Sequence, residues 1–445
     1  MTSTTTPRTT RTRAAAGVLL TSALLLTACG GEADGNSSGD NSQAAESDGP
    51  VEITFSSWLR GSQEVVDAFN ESQDEVQVTF REVAGADDNY PQLTNQVVAG
   101  DAPDVVTVEF PRVAEMASHG VLADISEEAG DLVSGGFDEA SQSLVTFGGA
   151  TWSVPLDAGV LQLYYREDLF EEYGIEVPTT WEEYKEAAET VKDADDDVRI
   201  GSTIVGDPAL TAAIAWQGGA QWGGMEDDAW IVDIDSDETH QAMEIHQEMF
   251  DEDLVWDEDH PVLEQKQADD ELLSVISGSW YAGGLEATYE DQAGDWRVAQ
   301  LPAPGDEPAA AMFGGSTFGV STNSENVEAA VTFIEWMTTT EEGIEARIAD
   351  GASSVFPINE TARSAAADAF DTSFFGDQDI YEVAGEGLAA IPEGWVWGPS
   401  TATTFSTLGD ESAAVQDGQA TLMEIFGDVE DATVSDMESR GLDVR

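Results

Sequence analysis

The run VEITFSSW (51–58) alternates apolar and polar positions and is rich in β-branched and aromatic residues, which predicts a strand. EVVDAFNESQ (64–73) follows with helical spacing, and VQVTFREV (76–83) reads as a second strand. In YPQLTNQVVAG (90–100), Leu93 and Val97 lie four apart on one helix face that stops at Gly100. DVVTVEF (104–110) has the near-continuous apolar character of a strand buried on both faces. Strand, helix, strand, helix, strand is the pattern of a doubly wound α/β sheet. Further on, TWEEYKEAAETVK (180–192) opens with Thr180 and Glu183 at capping-box spacing and carries the stripe Trp181, Tyr184, Ala188, Val191. NVEAAVTFIEWM (326–337) repeats the pattern with Val327, Ala330, Val331 and Ile334, so Trp181 and Trp336 are assigned to helix core stripes. Thr339 and Glu342 suggest a further capping box ahead of Ile344 and Ile348, and Leu422, Ile425, Phe426 and Val429 line a last helix. No internal repeat is evident.

The first 28 residues follow another pattern. Arg8, Arg11 and Arg13 precede an apolar stretch from Ala14 to Ala28. A basic start, a short apolar core and small residues at its end predict a secretory signal, because about 20 apolar residues are needed to span a membrane. The stretch Leu26-Thr27-Ala28-Cys29 resembles the bacterial lipobox, in which the cysteine is lipidated and becomes the first mature residue. Cys29 is the one cysteine of the chain and has no disulfide partner within it. One acyl chain binds a membrane only marginally, so a stable anchor implies two or more. Residues 29–50 contain no large apolar side chain and are expected to form a flexible tether. No later stretch is apolar enough to cross a bilayer, so the remainder is expected to be soluble.

Charge changes the picture most. The 445-residue chain has 16 basic and 89 acidic residues. Removing residues 1–28 takes away three arginines and no acid, leaving 13 basic against 89 acidic and a formal charge of −76. Nucleic acid is excluded as a partner, since phosphate repulsion would dominate. Anionic ligands are disfavoured unless a local basic pocket receives them. A solvated acidic surface with few lysines points to a halophilic source, where salt screens the self-repulsion. Disorder is the rival expectation for so much charge, but 41% hydrophobic residues, 12 Trp and 17 Phe in periodic order argue for a core. About 395 residues follow the tether, enough for two domains.

Catalytic and metal motifs are weak. His240 and His246 stand six apart, off a shared helix face, and are read as surface residues; with a single cysteine no metal site is expected. DIDSDETHQAME (233–244) places acids at calcium-loop spacing, but Glu238 stands where the turn wants glycine. Ser236 or Asp237 capping a helix accounts for it. GGSTFG (314–319) fails as a nucleophile elbow, because Phe318 replaces the second glycine. No catalytic residue and no cofactor is assigned.

An ordered set of stretches resembles the extracellular solute-binding proteins of ABC importers, specifically the family-1, maltose-binding-like group. They are ITFSSW (53–58), AGDAPDVVTVEF (99–110), GVLADI (120–125) and WSVPLDAGVLQLYYREDLFEEYGIEVPTTWEEYKEAA (152–188). SGSWYAGG (277–284), VAQLPAPG (298–305), FGGSTFGVSTNSENVEAAVTFIEWM (313–337) and SVFPIN (354–359) complete them. The resemblance covers Val51 to about Pro357 and weakens toward the end. It implies an α/β fold of type II, with two hinge-linked lobes around a ligand cleft. One lobe would comprise 51–157 and 312–354, the other 158–311 and 355–445. The chain would cross near Asp157, Ala310 and Val355. It also implies a lipid-anchored, monomeric receptor on the outer face of the cytoplasmic membrane. The receptor would hand a small-molecule solute to ABC permease subunits. Cys29 then serves location rather than folding.

Sugars present apolar C–H faces and a rim of hydroxyls, so their clefts use aromatic plates with carboxylates and amides. By loop positions that match the family's cleft positions, the resemblance implies the ligand contacts Trp58, Glu109, Phe110, Asp157, Trp280, Gly315, Ser316, Trp395 and Trp397. Trp280 stands where maltose-binding relatives place a sugar-stacking aromatic, and Trp395 and Trp397 stand in a loop that supplies another plate. Trp216 and Trp222, flanking QGGAQ, are further candidates. Asp104, in APDV, is read as a structural turn residue. The function implied is capture of a carbohydrate, an oligosaccharide first of all, without chemistry on it. The alternatives are a receptor for a cationic osmolyte such as betaine or a polyamine, a surface glycoside hydrolase, and a sensory surface protein.

Overall fold

The computed structural model describes residues 49–226, 229–349 and 353–445. The signal, Cys29 and most of the tether lie outside the described residues. The strand Val51–Ser57 forms as its alternation predicts, and pairs in parallel with Val76–Glu82 and with Val105–Glu109. Ser316–Val320 joins antiparallel to Val105–Glu109, and the short Val154–Pro155 closes a five-stranded sheet. Phe55 sits at its centre with no exposed surface, its ring within 5.4–5.6 Å of Phe80, Phe318 and Phe333. The helices Ser62–Ser72, Val327–Thr339 and Glu341–Ile348 pack there.

A second sheet is antiparallel: Leu161–Arg166 runs between Ser274–Gly278 and Trp296–Gln300. The helices Glu167–Tyr173 and Ile380–Ala389 pack on it, Trp181–Ala194 reaches it through Tyr184 Oη and Ser274 Oγ, and Pro208–Gln217, Asp237–Asp251, Thr401–Gln416 and Leu422–Ser439 pack on one another beyond. Two sheets with separate helices give two lobes. The chain passes between them three times, and the crossing segments lie side by side. Ala158 N–H donates to Phe356 O (3.0 Å), Ile358 N–H to Leu156 O (3.0 Å) and Phe313 N–H to Gly159 O (2.7 Å). A Cβ on Gly159 would lie 2.1 Å from Phe313 O, so only glycine allows this approach.

Several local expectations change. Strand 104–110 stops at Glu109; Phe110 opens a helix, Phe110–Ser118, whose second residue is Pro111 with φ preset for a first turn. Likewise the first strand stops at Ser57, one residue before Trp58. The helix expected from residue 90 begins at Ala86 and ends, as expected, at Gly100 in the left-handed region (φ 74°). Thr180 does cap its helix by accepting from Glu183 N–H, whereas the Glu183 carboxylate turns to Thr179. The later cap is Thr340, not Thr339: Thr340 Oγ1 accepts from Gly343 N–H, while Thr339 is already helical and donates back to Glu335 O. Ser236 caps Asp237–Asp251. His246 is not a surface residue. It is 4% exposed, its ring 4.5 Å from that of Trp181, and burial pulls its pKa down to about 3. Asp104 accepts from Thr54 and Ser324, which leaves it a structural role.

Candidate functional site

Parallel strands deliver their carboxyl ends to one edge of a sheet, and ligands of open α/β sheets bind there. In the five-stranded sheet that edge carries Trp58, just after the first strand, and Glu109, at the end of the third. The antiparallel strand starts at the same edge, with Ser316 opposite Glu109. A cavity of about 360 Å³ opens here. Trp58, Leu59, Arg60, Glu109, Gly315, Ser316 and Arg347 line it from this lobe; Trp280, Gly283 and Gly284 line it from the other. Leu156, Asp157, Ser353, Ser354 and Val355 form the wall where the lobes join.

Trp280 is 43% exposed, the one aromatic ring among the exposed large apolar side chains of the described residues. Its orientation is fixed despite that exposure. Trp280 Nε1 donates to Phe313 O at 3.1 Å, and Ser354 Oγ donates to Trp280 O at 3.0 Å. A Cβ on Gly278 would meet Trp280 Nε1 at 2.3 Å, so glycine is required beneath the indole. Trp58, half-buried, meets Tyr90 edge to face at 6.0 Å.

Gly314 marks where the lobes converge. A Cβ on it would lie 3.5 Å from Glu109 Oε1 and 3.9 Å from Trp280 Nε1. A carboxylate from one lobe and an indole from the other therefore flank one turn. Gly315, with φ 92°, lets the chain pass over Phe110: a Cβ there would meet Asp157 O at 2.9 Å and the Phe110 ring at 3.0 Å. Asp157 is 5% exposed, and its Oδ1 accepts from Ser316 N–H at 2.8 Å. Burial pushes the Asp157 carboxyl up to about 6, against the pull of the Ser316 N–H and of the Arg347 charge.

The structure thus gathers Trp58, Glu109, Asp157, Trp280, Gly315 and Ser316 around one cavity. The other candidates lie elsewhere. Phe110 is 1% exposed and supports Gly315 from behind without lining the cavity. Trp395 (2% exposed) and Trp397 (9%) belong to a core cluster with Trp216 and Trp222. Trp216 and Trp395 stack at 5.1 Å and 8°, and Trp222 lies 5.7 Å from Trp395. These rings spend their faces on one another. Trp216 and Trp395 touch the edge of a larger, open depression of about 930 Å³, but offer it no free face.

Nine of the lining residues were not among the expected contacts, and two of them, Arg60 and Arg347, carry charge. Arg347 is 1% exposed and its Nη1 donates to Arg60 O at 3.3 Å, while Arg60 itself is exposed. Gly61 (φ 74°) is forced, since its Cβ would lie 2.1 Å from Arg347 O. The signal for Arg347 was its place in the Ile344–Ile348 stripe, where an arginine faces inward. For Arg60 it was a scarce cation at the end of the first strand. Among the described residues no cluster of three or more His, Cys, Asp or Glu suits a metal ion.

Two lobes, a cleft at the sheet edge and a fixed, free indole face define a two-lobed ligand receptor. The sequence profile of the bacterial extracellular solute-binding protein family matches residues 56–344, and the chain belongs to that family. The maltooligosaccharide ABC transporter solute-binding lipoprotein of Streptococcus pneumoniae is 23% identical over 377 residues, 80% of this chain and 82% of that protein. The lactose-binding protein of Rhizobium radiobacter is 26% identical over 268 residues, 58% of this chain and 61% of that protein. Among solved structures, the galacto-N-biose-/lacto-N-biose I-binding protein of the ABC transporter from Bifidobacterium longum, in complex with lacto-N-biose, aligns with a TM-score of 0.79 at 24% identity. It covers 90% of this chain and 100% of that one. A binding protein of B. animalis subsp. lactis in complex with β-1,6-galactobiose gives 0.77 at 23%, over 89% and 100%. The fold is therefore the type II, two-lobed fold of sugar-binding receptors.

Proposed function

We propose that this protein is the substrate-binding component of an ABC importer, and that its cleft captures an oligosaccharide and releases it intact to a membrane permease. The observation that carries the reading is Trp280, a pinned indole with a free face, standing across one turn from the Glu109 carboxylate. A plate for C–H groups beside an acceptor for hydroxyls is what a sugar ring needs. The relatives named above, whose names or bound ligands are a maltooligosaccharide, lacto-N-biose and β-1,6-galactobiose, support it. A cationic osmolyte fits less well, because Arg60 and Arg347 both line the cavity.

The lobes comprise 51–157 with 312–354 and 158–311 with 355–445, except that the helix Glu360–Ala369 packs on Glu341–Ile348 and so goes with the first; a ligand closes them by binding the closed state more tightly than the open one. Lipid on Cys29 holds the receptor, a monomer, at the outer face of the membrane. A thermal-shift screen in molar salt tests the ligand class. Stabilisation by one class of oligosaccharide, recovered unhydrolysed, is expected; a ligand at 100 times its Kd adds about 2.7 kcal/mol. Stabilisation by betaine or a polyamine alone would overturn the sugar reading, and hydrolysis of the sugar would make the protein an enzyme.

A further inference from the structure

In so acidic a chain a cation ordinarily has a carboxylate beside it. Arg166, Lys185, Lys192, Arg199 and Arg297 each do, at 2.6–3.0 Å, whereas among the described residues Arg81 and Arg363, away from the cleft cavity, do not. Arg60 and Arg347 line the cleft cavity, and among the described residues neither has a carboxylate within ion-pair distance. The buried one is also poorly satisfied. Of its five N–H donors, Nη1 reaches Arg60 O at 3.3 Å and Ser62 Oγ at 3.4 Å, Nη2 reaches only Met337 Sδ at 4.0 Å, and Nε has no partner. Buried charges are normally paired and hydrogen-bonded, whereas Arg347 has unmet donors and only the through-space pull of Asp157 and Glu64.

The acids of the cavity do not supply a direct partner. Asp157 is committed to Ser316 N–H, and Glu109 faces Tyr90 Oη at 3.4 Å. Asp157 and, from the first turn of its helix, Glu64 act on Arg347 only through space. The unmet capacity of the cleft is therefore positive on the Arg60–Arg347 side and aromatic at Trp280. We propose that Arg60 and Arg347 form an anion subsite, and that the solute is an oligosaccharide bearing a carboxylate or phosphate group. The proposal rests on the sugar reading and narrows it. A neutral hydroxyl could accept one of these hydrogen bonds but would add no negative charge beside the two arginines. The acidic surface repels such a solute at a distance, yet at molar salt that repulsion is screened within about 3 Å, while a contact with a buried guanidinium is screened much less.

The test is calorimetric titration of the purified protein, in molar potassium chloride, with matched neutral and uronic-acid dimers of glucose and of galactose. Galactose 6-phosphate and inorganic phosphate are titrated alongside. The acidic member of one pair is expected to bind at least about tenfold more tightly than its neutral partner. Arg347→Met and Arg60→Gln should each bring that ratio toward one; the exposed Arg60 keeps the test decisive if the core variant fails to fold. A stronger response to galactose 6-phosphate than to the uronates would identify the anion as phosphate and support the subsite. Equal affinity within each pair would overturn the subsite and leave the sugar receptor standing. A preference for acid that survives both substitutions would overturn its assignment to these arginines. Failure of every sugar to bind would overturn the sugar reading and this proposal together.

Discussion

Trp280 and the Trp216–Trp395 pair are the same side chain in opposite surroundings, one exposed at the cleft cavity and the others buried. All three sit in the resembling or loop stretches from which a sugar plate would be drawn. Trp280 fixes its edge through one hydrogen bond to Phe313 O and, with the Phe313 ring tilted beside it at 5.8 Å, still leaves 43% of its surface exposed. Trp216 and Trp395 turn their faces on each other, and Trp216 donates to Pro392 O, so that the pair ties the 392–397 loop to the helix Pro208–Gln217. The difference teaches that an aromatic residue makes a binding plate through the face it leaves free, which its neighbours decide.

The contrast can be broken most forcefully at Trp395. Trp395→Ala should cost about 3–5 kcal/mol of folding stability through the cavity it leaves, read as a lower urea midpoint. An unchanged midpoint would mean that the cluster is not core. Next in size is Asp157→Asn, which probes the wall shared by both lobes. The folded carboxyl titrates near 6, above the unfolded value of 3.8, so its contribution to stability is complete below about pH 4 and is lost as pH rises through 6. The asparagine keeps the acceptor for Ser316 N–H and has no such loss. Relative to wild type it should therefore gain, between pH 4 and 7, up to about 3 kcal/mol. Urea midpoints of the two proteins that stay parallel across this range would contradict the assignment. His246, whose pKa is lowered, contributes with the opposite sign but identically to both proteins, and so cancels.

Trp280→Ala should leave the fold nearly untouched and weaken sugar binding by about 1–3 kcal/mol, ten- to a hundredfold. Trp395→Phe sharpens the comparison from the other side. Trp395 Nε1 is buried without a partner, so an apolar ring removes an unmet donor as it removes volume, and the net loss should be about 1 kcal/mol or less. The acidic surface gives a further check, since the unfolding midpoint of the protein should rise from low to molar salt.

Much of this was legible in the chain. Alternation in 51–58 and the apolar run after Pro103 gave the strands whose carboxyl ends carry Trp58 and Glu109. The stripe Trp181, Tyr184, Ala188, Val191 is buried as its spacing implies. What could not be read is long-range in origin. Phe110 looks like a strand end until Pro111 starts a helix and Gly315 settles over the ring. Trp395 and Trp397 are buried by Trp216 and Trp222, about 175 residues away in sequence, and no local pattern announces that packing. His246 is polar by composition but buried by Trp181 from a different helix. Arg347 was missed although its place beside Ile344 and Ile348 could have marked it as inward-facing; what no local pattern could show is that, among the described residues, no carboxylate comes within ion-pair distance of it.

The most direct measurement is calorimetric titration of one oligosaccharide panel against the wild-type, Trp280→Ala and Trp395→Phe proteins. The account predicts that the best ligand loses at least about tenfold in affinity with Trp280→Ala and less than about threefold with Trp395→Phe. Full affinity in Trp280→Ala, with loss in a folded Trp395→Phe, would place the sugar at the tryptophan cluster and contradict the account.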